Sequence, residues 1–457
     1  MSSSPIALGR LRRPAAAKGK TAKRTRKRAR GKAVSAEYNM LLTATLCLLA
    51  LGAVMVFSAS STTKVLSNGG FSESGFYLQR TLMFGAVGLI VMHLVARNGL
   101  AFVRNLTPAI LGLAFFLLCA VLVAGTTVNG ATRWIGSGFL QIQPSEIAKV
   151  ALVLYGADLL ARKPKRARSI EGFMPFLLVV AAAAGLIMLQ PDMGTTMVLT
   201  FAVGATLVAA GARPRDLGLL ACGLALVALL MAVVEPYRMA RLTAFLNPGA
   251  DASGAGFQAA QAKIALGSGG LFGVGLGNGV QKAFYLPEAH TDMITAVIGE
   301  ELGLVGIAGV VGLFAMFGFA GFKVAQNAKD AYGKILVAGL TSLILVQATI
   351  NLFAVMGLAP LTGVPLPFVS YGNSSLLTSL FAVGLILNVA RGGTAKAARS
   401  ATGSRAGKLL VVDGGRAPTQ ARSGKKSGSR KAEGRGRGGG NRGSRGPRHG
   451  GRRRASG

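Results

Sequence analysis

Ten apolar stretches recur along this 457-residue chain and limit its possible folds more than any other feature. Each has roughly the twenty residues that a helix needs to cross the hydrocarbon core of a bilayer. Backbone polar groups inside a bilayer must be satisfied within helices or closed barrels. The mean hydropathy of +0.49 is also typical of a polytopic membrane protein. The stretches lie at about 38–60, 78–97, 103–125, 144–162, 172–190, 192–211, 216–234, 291–322, 333–358 and 371–391. We therefore predict an all-α polytopic membrane protein with about ten transmembrane helices.

The net charge of +35 is concentrated in two tails. Residues 1–37 hold twelve Lys and Arg against Glu37, and residues 391–457 hold nineteen against two acids. The tails lack the aromatic residues that alternate with basic ones in single-stranded nucleic-acid binders, so nucleic acid is not an expected partner. We predict that 1–37 and 393–457 are disordered cytoplasmic tails, held near an anionic inner leaflet or used for protein docking. The membrane domain then covers 38–392.

The Lys and Arg residues of the short loops predict the orientation of the domain. Arg97, Arg104, the segment 162–168, Arg213 and Lys323 fall on the same side as both tails, so both termini are predicted to be cytoplasmic. The segment 236–290 then forms a large extracellular loop between helices seven and eight. Within it, 257–266 fits a short amphipathic helix on the membrane surface. The glycine-rich stretch that follows is interpreted as a flexible or closely packed loop, because no βαβ unit surrounds it.

The strongest candidates for chemistry lie in the segment 281–303, QKAFYLPEAHTDMITAVIGEELG. Acids in or beside a membrane are expensive and are usually functional. We place Asp292 in the first turn of the eighth transmembrane helix, where the helix dipole favours an ionised carboxylate. It is predicted to be a base at the outer mouth, with simple helix capping as the alternative. Glu300 and Glu301 are predicted to be structural, pairing with Lys149 or with helix termini from other spans.

Further polar residues interrupt the apolar pattern. Glu146 and Lys149 lie three residues apart on one helix face, which predicts a structural ion pair, with substrate contact by Lys149 as the alternative. Asp192 follows Pro191 at a break that suits either a helix start or a site. The candidate substrate-binding residues are Arg133, Lys149, Asp192, Lys263, Lys282, Glu288, His290, Ser370 and Ser374.

The three cysteines have no metal-binding spacing and are predicted to be core residues, namely Cys47, Cys119 and Cys222.

Two functional classes fit these residues. One is a transporter with carboxylates along its path, and the other is an enzyme that acts on a membrane-anchored substrate. Transporters usually show internal repeats and charges in the middle of the membrane. No convincing repeat is present here, and the polar breaks cluster on the outer side, which favours the enzyme.

The chain resembles the SEDS family (shape, elongation, division and sporulation), the FtsW/RodA group, over about residues 38–392. The motifs that carry the resemblance are NGATRWIG at 129–136, QPSEIAK at 143–149, QPDMGTT at 190–196, GSGGLFGVGLGNGVQK at 267–282, LPEAHTD with IGEELG, and PLPFVSYGNSS at 365–375. The resemblance implies a ten-span polymerase that joins lipid II into β-1,4 glycan strands on the outer face. It further implies inversion at the sugar, with Asp292 as the general base. A diphosphate leaving group needs charge neutralisation more than protonation, so one carboxylate suffices. No cofactor is certain, although Mg²⁺ or Mn²⁺ would fit a diphosphate.

The sequence of the segment AHTDMITAVIGEELG resembles that of division-branch members, and the long basic tails resemble those of actinobacterial division members. This implies a class B penicillin-binding protein and other division proteins as partners, in the cytoplasmic membrane at the septum. An elongation-type polymerase, a lipid II flippase and a division scaffold remain alternatives. Two positions depart from the family's motifs. Asn373 replaces a glycine of the usual YGGSS. The segment LTG at 361–363 lacks a lysine that some division members carry, so a phosphate-binding role of that lysine does not transfer to this chain.

Overall fold

The computed structural model describes most of the residues between 36 and 392. The described residues are 36–61, 72–128, 131–136, 141–162, 164, 169–234, 239, 243, 245 and 255–392. The predicted tails at 1–35 and 393–457, and most of the first part of the predicted outer loop, lie outside them.

The described residues form twelve α-helices and one short hairpin. The helices are α1 Ala36–Ser61, α2 Ser72–Leu94, α3 Leu100–Ala124, α4 Pro144–Arg162, α5 Ile170–Leu189, α6 Met193–Ala210, α7 Pro214–Val234, α8 Ala255–Ser268, α9 Gln281–Phe284, α10 Ile294–Gln326, α11 Ala331–Val355 and α12 Asn373–Ala390. A π-helical turn, Val95–Gly99, joins α2 to α3, and strands β1 Thr126–Val128 and β2 Ala131–Trp134 pair antiparallel. The predicted all-α membrane architecture is confirmed, with this hairpin as an unpredicted addition.

Eight of the helices are long and apolar enough to cross a membrane, counted over the described residues. They are α1, α2 with the π-turn, α3, α5, α6, α10, α11 and α12. The two remaining predicted spans correspond to α4 and α7. Helix α4 contains four charged residues, and the side chains in the second half of α7 are not described.

Helix α4 lies in the middle of the bundle, although it is the most charged of the ten. It packs against α3, α5, α6 and α11. Small residues permit this close packing, since a Cβ added to Gly156 would lie 2.5 Å from the ring of Phe176. Three of its four charged residues, Glu146, Lys149 and Asp158, are therefore buried, and each must find a partner inside the protein.

Helix α10 is broken at Gly303, where a continuous eighth span is predicted. Gly303 has φ +66° and ψ −161°. A Cβ there would lie 2.4 Å from the backbone nitrogen of Gly273, so only glycine fits. The glycine-rich loop 269–280 supplies the missing backbone partners: the N–H of Leu304 donates to the carbonyl of Gly270 at 3.0 Å, and that of Val274 donates to the carbonyl of Glu300 at 3.0 Å. This pairing satisfies the requirement that backbone groups at a membrane break be bonded within the protein. The closely packed alternative for this loop is confirmed.

The two ends of the described domain meet at one end of the bundle. The guanidinium of Arg391, just after α12, donates to the hydroxyl of Tyr38 at 2.5 Å and lies 4.5 Å above its ring. Lys323, near the end of α10, pairs with Glu37 at 3.8 Å. We call these two contacts the terminal clasp.

The three cysteines are exposed on the surface of their helices, so the prediction of core positions is wrong. An apolar run does not separate a lipid-facing position from a core position, because both favour apolar side chains in a membrane protein.

Candidate functional site

Asp292 lies in a turn, two residues before α10 begins, and the prediction that it occupies the first helical turn is wrong. The turns of residues 287–293 precede the helix, and Met293 is its N-cap. The carbonyl of Glu288 accepts from the N–H groups of Thr291 at 3.1 Å and Met293 at 3.4 Å. These two bonds hold residues 288–293 in turns that precede the helix. Asp292 still lies beside the N-terminus of α10, where the helix dipole favours a negative charge.

The main chain of Asp292 is fixed by Asn351 of α11, a residue that the sequence analysis missed. The side-chain amide of Asn351 donates to the carbonyl of Asp292 at 2.8 Å and to that of Val364 at 2.8 Å. Its own oxygen accepts from the hydroxyl of Thr295 at 2.7 Å. Asn351 is only 2% exposed. An amide in the apolar stretch 333–358 was the available signal, because buried amides in membrane helices usually bridge to a neighbour.

The carboxylate of Asp292 lies over the loop that joins α11 to α12. A Cβ built on Gly363, at φ +70°, would be 3.8 Å from Asp292 Oδ2. Asp292 as a whole is half-buried, so the residue is not sealed from solvent although its main-chain carbonyl is held by Asn351. The same loop contacts α6, since a Cβ on Gly194 would lie 2.5 Å from the carbonyl of Thr362.

Glu288 is a second carboxylate beside Asp292. The hydroxyl of Thr291 lies 2.9 Å from Glu288 Oε2 and 3.3 Å from Asp292 Oδ1, so it bridges the two acids. Glu288 is exposed and has φ +57°. A left-handed conformation is uncommon for a residue other than glycine and concentrates at functional sites.

His290 belongs to a cluster of three rings. Its ring centroid lies 4.7 Å from that of Tyr77 on α2 and 5.6 Å from that of Tyr371, while the two tyrosines are 5.0 Å apart. The N–H of Tyr371 donates to the carbonyl of His290 at 2.9 Å. Burial raises the pKa of the Tyr371 hydroxyl, so it stays protonated at neutral pH. The cluster joins the Asp292 turn to α2 and to the loop before α12.

Lys263 is an exposed cation on α8. Its side chain lies along Gly357, just after the end of α11, where a Cβ would be 2.9 Å from Nζ. Helix α11 also carries Asn351, near that same end, so Lys263 is found at the Asp292 end of this helix.

Lys282, another predicted substrate contact, is completely buried in an ion pair with Glu301. The two side chains are 0% exposed and 2.5 Å apart. Lys282 also donates to the hydroxyl of Ser58 and to the carbonyl of Gly277, both at 2.9 Å. This placement supports a structural role, because a fully enclosed ammonium has no free surface for a ligand.

Glu300 and Glu301 hold the glycine-rich loop, and the predicted pairing with Lys149 is wrong. Glu300 Oε1 accepts from the N–H groups of Val280 at 2.7 Å and Gln281 at 3.1 Å, at the start of α9. Glu300 therefore does meet a helix start, but it is that of the four-residue α9 and not that of another span, which was the alternative expectation. Glu301 Oε2 accepts from Gly277 at 3.1 Å.

Lys149 instead pairs with Glu146, three residues earlier on α4, at 2.8 Å. Its ammonium also donates to the side-chain oxygen of Gln347 on α11 at 2.8 Å. Gln347 in turn donates to the carbonyl of Pro365 at 3.1 Å and to Ser375 at 3.3 Å. These contacts support the structural ion pair and connect α4 with the loop beneath Asp292.

Asp192 is the N-cap of α6, as the helix-start interpretation predicts. Its carboxylate accepts from the N–H of Thr195 at 3.1 Å and from the side chain of Gln143 at 3.3 Å. Arg133 on β2 lies 4.0 Å from Asp192 and donates to the carbonyls of Gln190, at 3.2 Å, and of Pro191. Arg133 thus ties the hairpin to the turn between α5 and α6.

Ser370 and Ser374 are buried and hydrogen-bonded within the protein. Ser370 accepts from the N–H of Leu366 at 2.8 Å, and Ser374 accepts from that of Gln143 at 3.0 Å. Both support the loop rather than line an open surface. Within the described residues, no group of three or more His, Cys, Asp or Glu side chains is arranged to hold a metal ion.

The family model described as cell cycle protein, which covers FtsW, RodA and SpoVE, matches residues 38–394. The chain belongs to the FtsW/RodA/SpoVE family. It is 40% identical over 363 residues to the "Probable peptidoglycan glycosyltransferase FtsW" of Trichlorobacter lovleyi, covering 78% of this chain and 94% of the relative. It is 41% identical over 358 residues to "Stage V sporulation protein E" of Bacillus subtilis, with coverage of 77% and 96%.

Two solved structures of the family share the fold. One is described as "Structural coordination of polymerization and crosslinking by a peptidoglycan synthase complex", with a TM-score of 0.64, 28% identity and coverage of 77% and 96%. The other is the rod shape determining protein RodA of Thermus thermophilus, with a TM-score of 0.56, 29% identity and coverage of 77% and 95%. The chain is thus a bacterial membrane protein of the FtsW/RodA/SpoVE family.

The geometry around Asp292 can support one kind of chemistry well. A half-buried carboxylate with a fixed main chain is suited to accept a proton from a hydroxyl placed beside it. The second carboxylate, the three-ring cluster and Lys263 give the surroundings polar and cationic groups for a larger ligand.

Proposed function

We propose that this chain is a peptidoglycan glycosyltransferase that polymerises lipid II into β-1,4 glycan strands, with Asp292 as the general base. The observation that carries the proposal is that Asn351 fixes the main-chain carbonyl of Asp292 while the residue itself is only half-buried. A relative 40% identical over nearly its whole length is named as a peptidoglycan glycosyltransferase, which supports the same activity here.

In the proposed reaction, the 4-hydroxyl of the acceptor sugar attacks the anomeric carbon of the donor. Asp292 takes the hydroxyl proton as the new C–O bond forms. The bond between the anomeric carbon and the diphosphate oxygen breaks on the opposite side, and its electron pair leaves with the diphosphate. The donor is α-linked, so this in-line displacement inverts it to a β link.

The leaving diphosphate needs positive charge more than a proton. Lys263 is the candidate for this contact, because it is exposed at the Asp292 end of α11. A Mg²⁺ or Mn²⁺ ion carried by the diphosphate would serve the same purpose. Glu288 and His290 are proposed to position the sugars.

We place this activity on the outer face of the cytoplasmic membrane at the division septum, with both termini cytoplasmic. The many relatives named FtsW support the division role. We also propose a class B penicillin-binding protein as partner, alongside other division proteins. A solved relative whose description couples polymerisation with crosslinking in one complex supports this partner.

The test is glycan polymerisation by the purified protein in lipid, with lipid II as substrate. Asp292→Asn should lower the rate by about 10²- to 10⁴-fold, the usual contribution of a general base. Glu171→Gln, a change of an exposed acid at the start of α5, is the control and should leave the rate unchanged. Full polymer from Asp292→Asn would refute the base assignment.

Three further results would favour the alternatives. Movement of lipid II across the membrane by the wild type, without polymer, would indicate a flippase. Normal growth of cells that carry only Asp292→Asn would indicate a scaffold. Stable association with an elongation transpeptidase instead of a septal one would indicate the elongation branch.

A further inference from the structure

The tip of the glycine-rich loop exposes large apolar side chains that no described part of the protein covers. Phe272 is 81% exposed and Leu271 is 62% exposed, and Leu276 and Val280 are also largely exposed. No charged residue occurs between Lys263 and Lys282. The charged side chains that hydrogen-bond to the backbone of the loop, Glu300, Glu301 and Lys282, are all buried. An exposed apolar patch of this kind marks a contact with another protein or with a membrane.

The backbone pairing fixes where this tip lies along α10. The N–H of Val305 donates to the carbonyl of Leu271 at 3.1 Å. Leu271 and Phe272 are therefore beside the first residues after the break, Leu304 and Val305, which are themselves exposed. In a membrane protein, exposed apolar side chains along a spanning helix face lipid, so the tip continues the lipid-facing surface of α10.

The charge pattern of α10 places the break at a membrane boundary. The uncharged segment between Glu301 and Lys323 is about 31 Å long at 1.5 Å per residue. This length matches the hydrocarbon thickness of about 30 Å. Lys323 pairs with Glu37 at one boundary. Gly303 and the tip then lie at the opposite boundary.

We propose that the loop tip, residues 271–276, inserts into the outer part of the acyl-chain region of the bilayer, on the side opposite Lys323. The surface helix α8 is less suited to this role than its sequence predicts. Its Ala262 and Ala265 are buried against the protein, and Lys263 is on its exposed side. The membrane contact belongs to the loop that follows.

This insertion has a geometrical consequence for Asp292. The helical segment 294–302 extends from the break for about 13 Å. Insertion of the loop tip therefore fixes the height of the Asp292 turn, which lies up to about 13 Å above the acyl chains.

A single tryptophan at the tip provides the test, because the chain contains only Trp134. Phe272→Trp is made in a Trp134→Phe background, and the protein is reconstituted in vesicles whose lipids carry bromine near the glycerol end or near the methyl end of the acyl chains. The side chain at 272 is exposed, so the exchange leaves the fold intact. Leu276→Trp is a second variant at the tip. Val311→Trp is the matched control for the bilayer interior, because residue 311 lies about 12 Å beyond Gly303 along α10.

The tip variants should lose more emission with the shallow bromines than with the deep ones. Val311→Trp should show the reverse order. Quenching of the tip tryptophan by aqueous iodide, with no effect of either brominated lipid, would overturn the proposal. Protection from both kinds of quencher would overturn it as well, because the tip would then be covered by protein.

Discussion

Replacement of Asn351 by alanine should separate catalysis from stability at the Asp292 turn. The change removes three hydrogen bonds. Two of the partners, the Val364 carbonyl and the Thr295 hydroxyl, belong to buried residues, whereas the Asp292 carbonyl belongs to a half-buried one. Each buried group left unpaired costs about 1–2 kcal/mol, so Asn351→Ala should lower the free energy of unfolding by about 2–4 kcal/mol. Freed from its anchor, the Asp292 turn should shift, and a displacement of about 1 Å is enough to lower kcat roughly 10²-fold.

Gln347→Ala is the matched control for this prediction. Gln347 lies one turn earlier on α11, is similarly buried and makes three hydrogen bonds, to Lys149, Pro365 and Ser375. Its loss should reduce stability by a similar amount. It does not touch the Asp292 turn, so kcat should fall much less.

The assay is steady-state polymerisation of lipid II at a temperature where both variants are folded, together with thermal unfolding of each protein. Asn351→Ala should lower kcat with little change in KM. Equal kcat values for the two variants at equal stability would refute the assignment of Asn351 as the residue that positions Asp292.

Three other changes probe the supports of the site. Lys282→Met should destabilise the protein by about 3–5 kcal/mol, because it leaves Glu301 charged and buried, and Glu301→Gln in addition should restore part of the melting temperature. Gly303→Ala should prevent stable folding because its Cβ would meet the loop backbone, whereas Gly309→Ala, which faces open space, should have little effect on detergent-solubilised yield. Lys263→Ala should leave melting unchanged and raise KM for lipid II, and an unchanged KM would argue against its contact with the diphosphate.

The spans were predictable because their signal is local. A bilayer demands about twenty apolar residues in each helix, so hydropathy alone locates them. The break at Gly303 was not predictable from the sequence of α10, since glycine is common within membrane helices. It exists because a loop some thirty residues earlier in the chain supplies the backbone partners for residues 300–305.

The site was predictable at Asp292 and less so around it. Acids beside an apolar stretch indicate where chemistry is possible, and Asp292 does lie in an accessible turn. Charge alone could not separate Lys263 from Lys282, although the first is exposed and the second is enclosed by Glu301 and Ser58. That distinction depends on contacts across more than two hundred residues of sequence, which no local pattern contains. Asn351 was missed although an amide in an apolar stretch is a local signal, because its partners Asp292 and Thr295 are 59 and 56 residues away in sequence.

The terminal clasp has a consequence for binding outside the membrane domain. Tyr38 and Arg391 mark the points where the two basic segments of the chain begin, and their side chains are in direct contact. The attachment points of the two segments are thus adjacent, and attachment of one segment to an acidic surface would raise the effective concentration of the other at that surface. Two weak electrostatic contacts joined in this way bind with the avidity of a bivalent ligand, and loss of either segment should weaken attachment by far more than half.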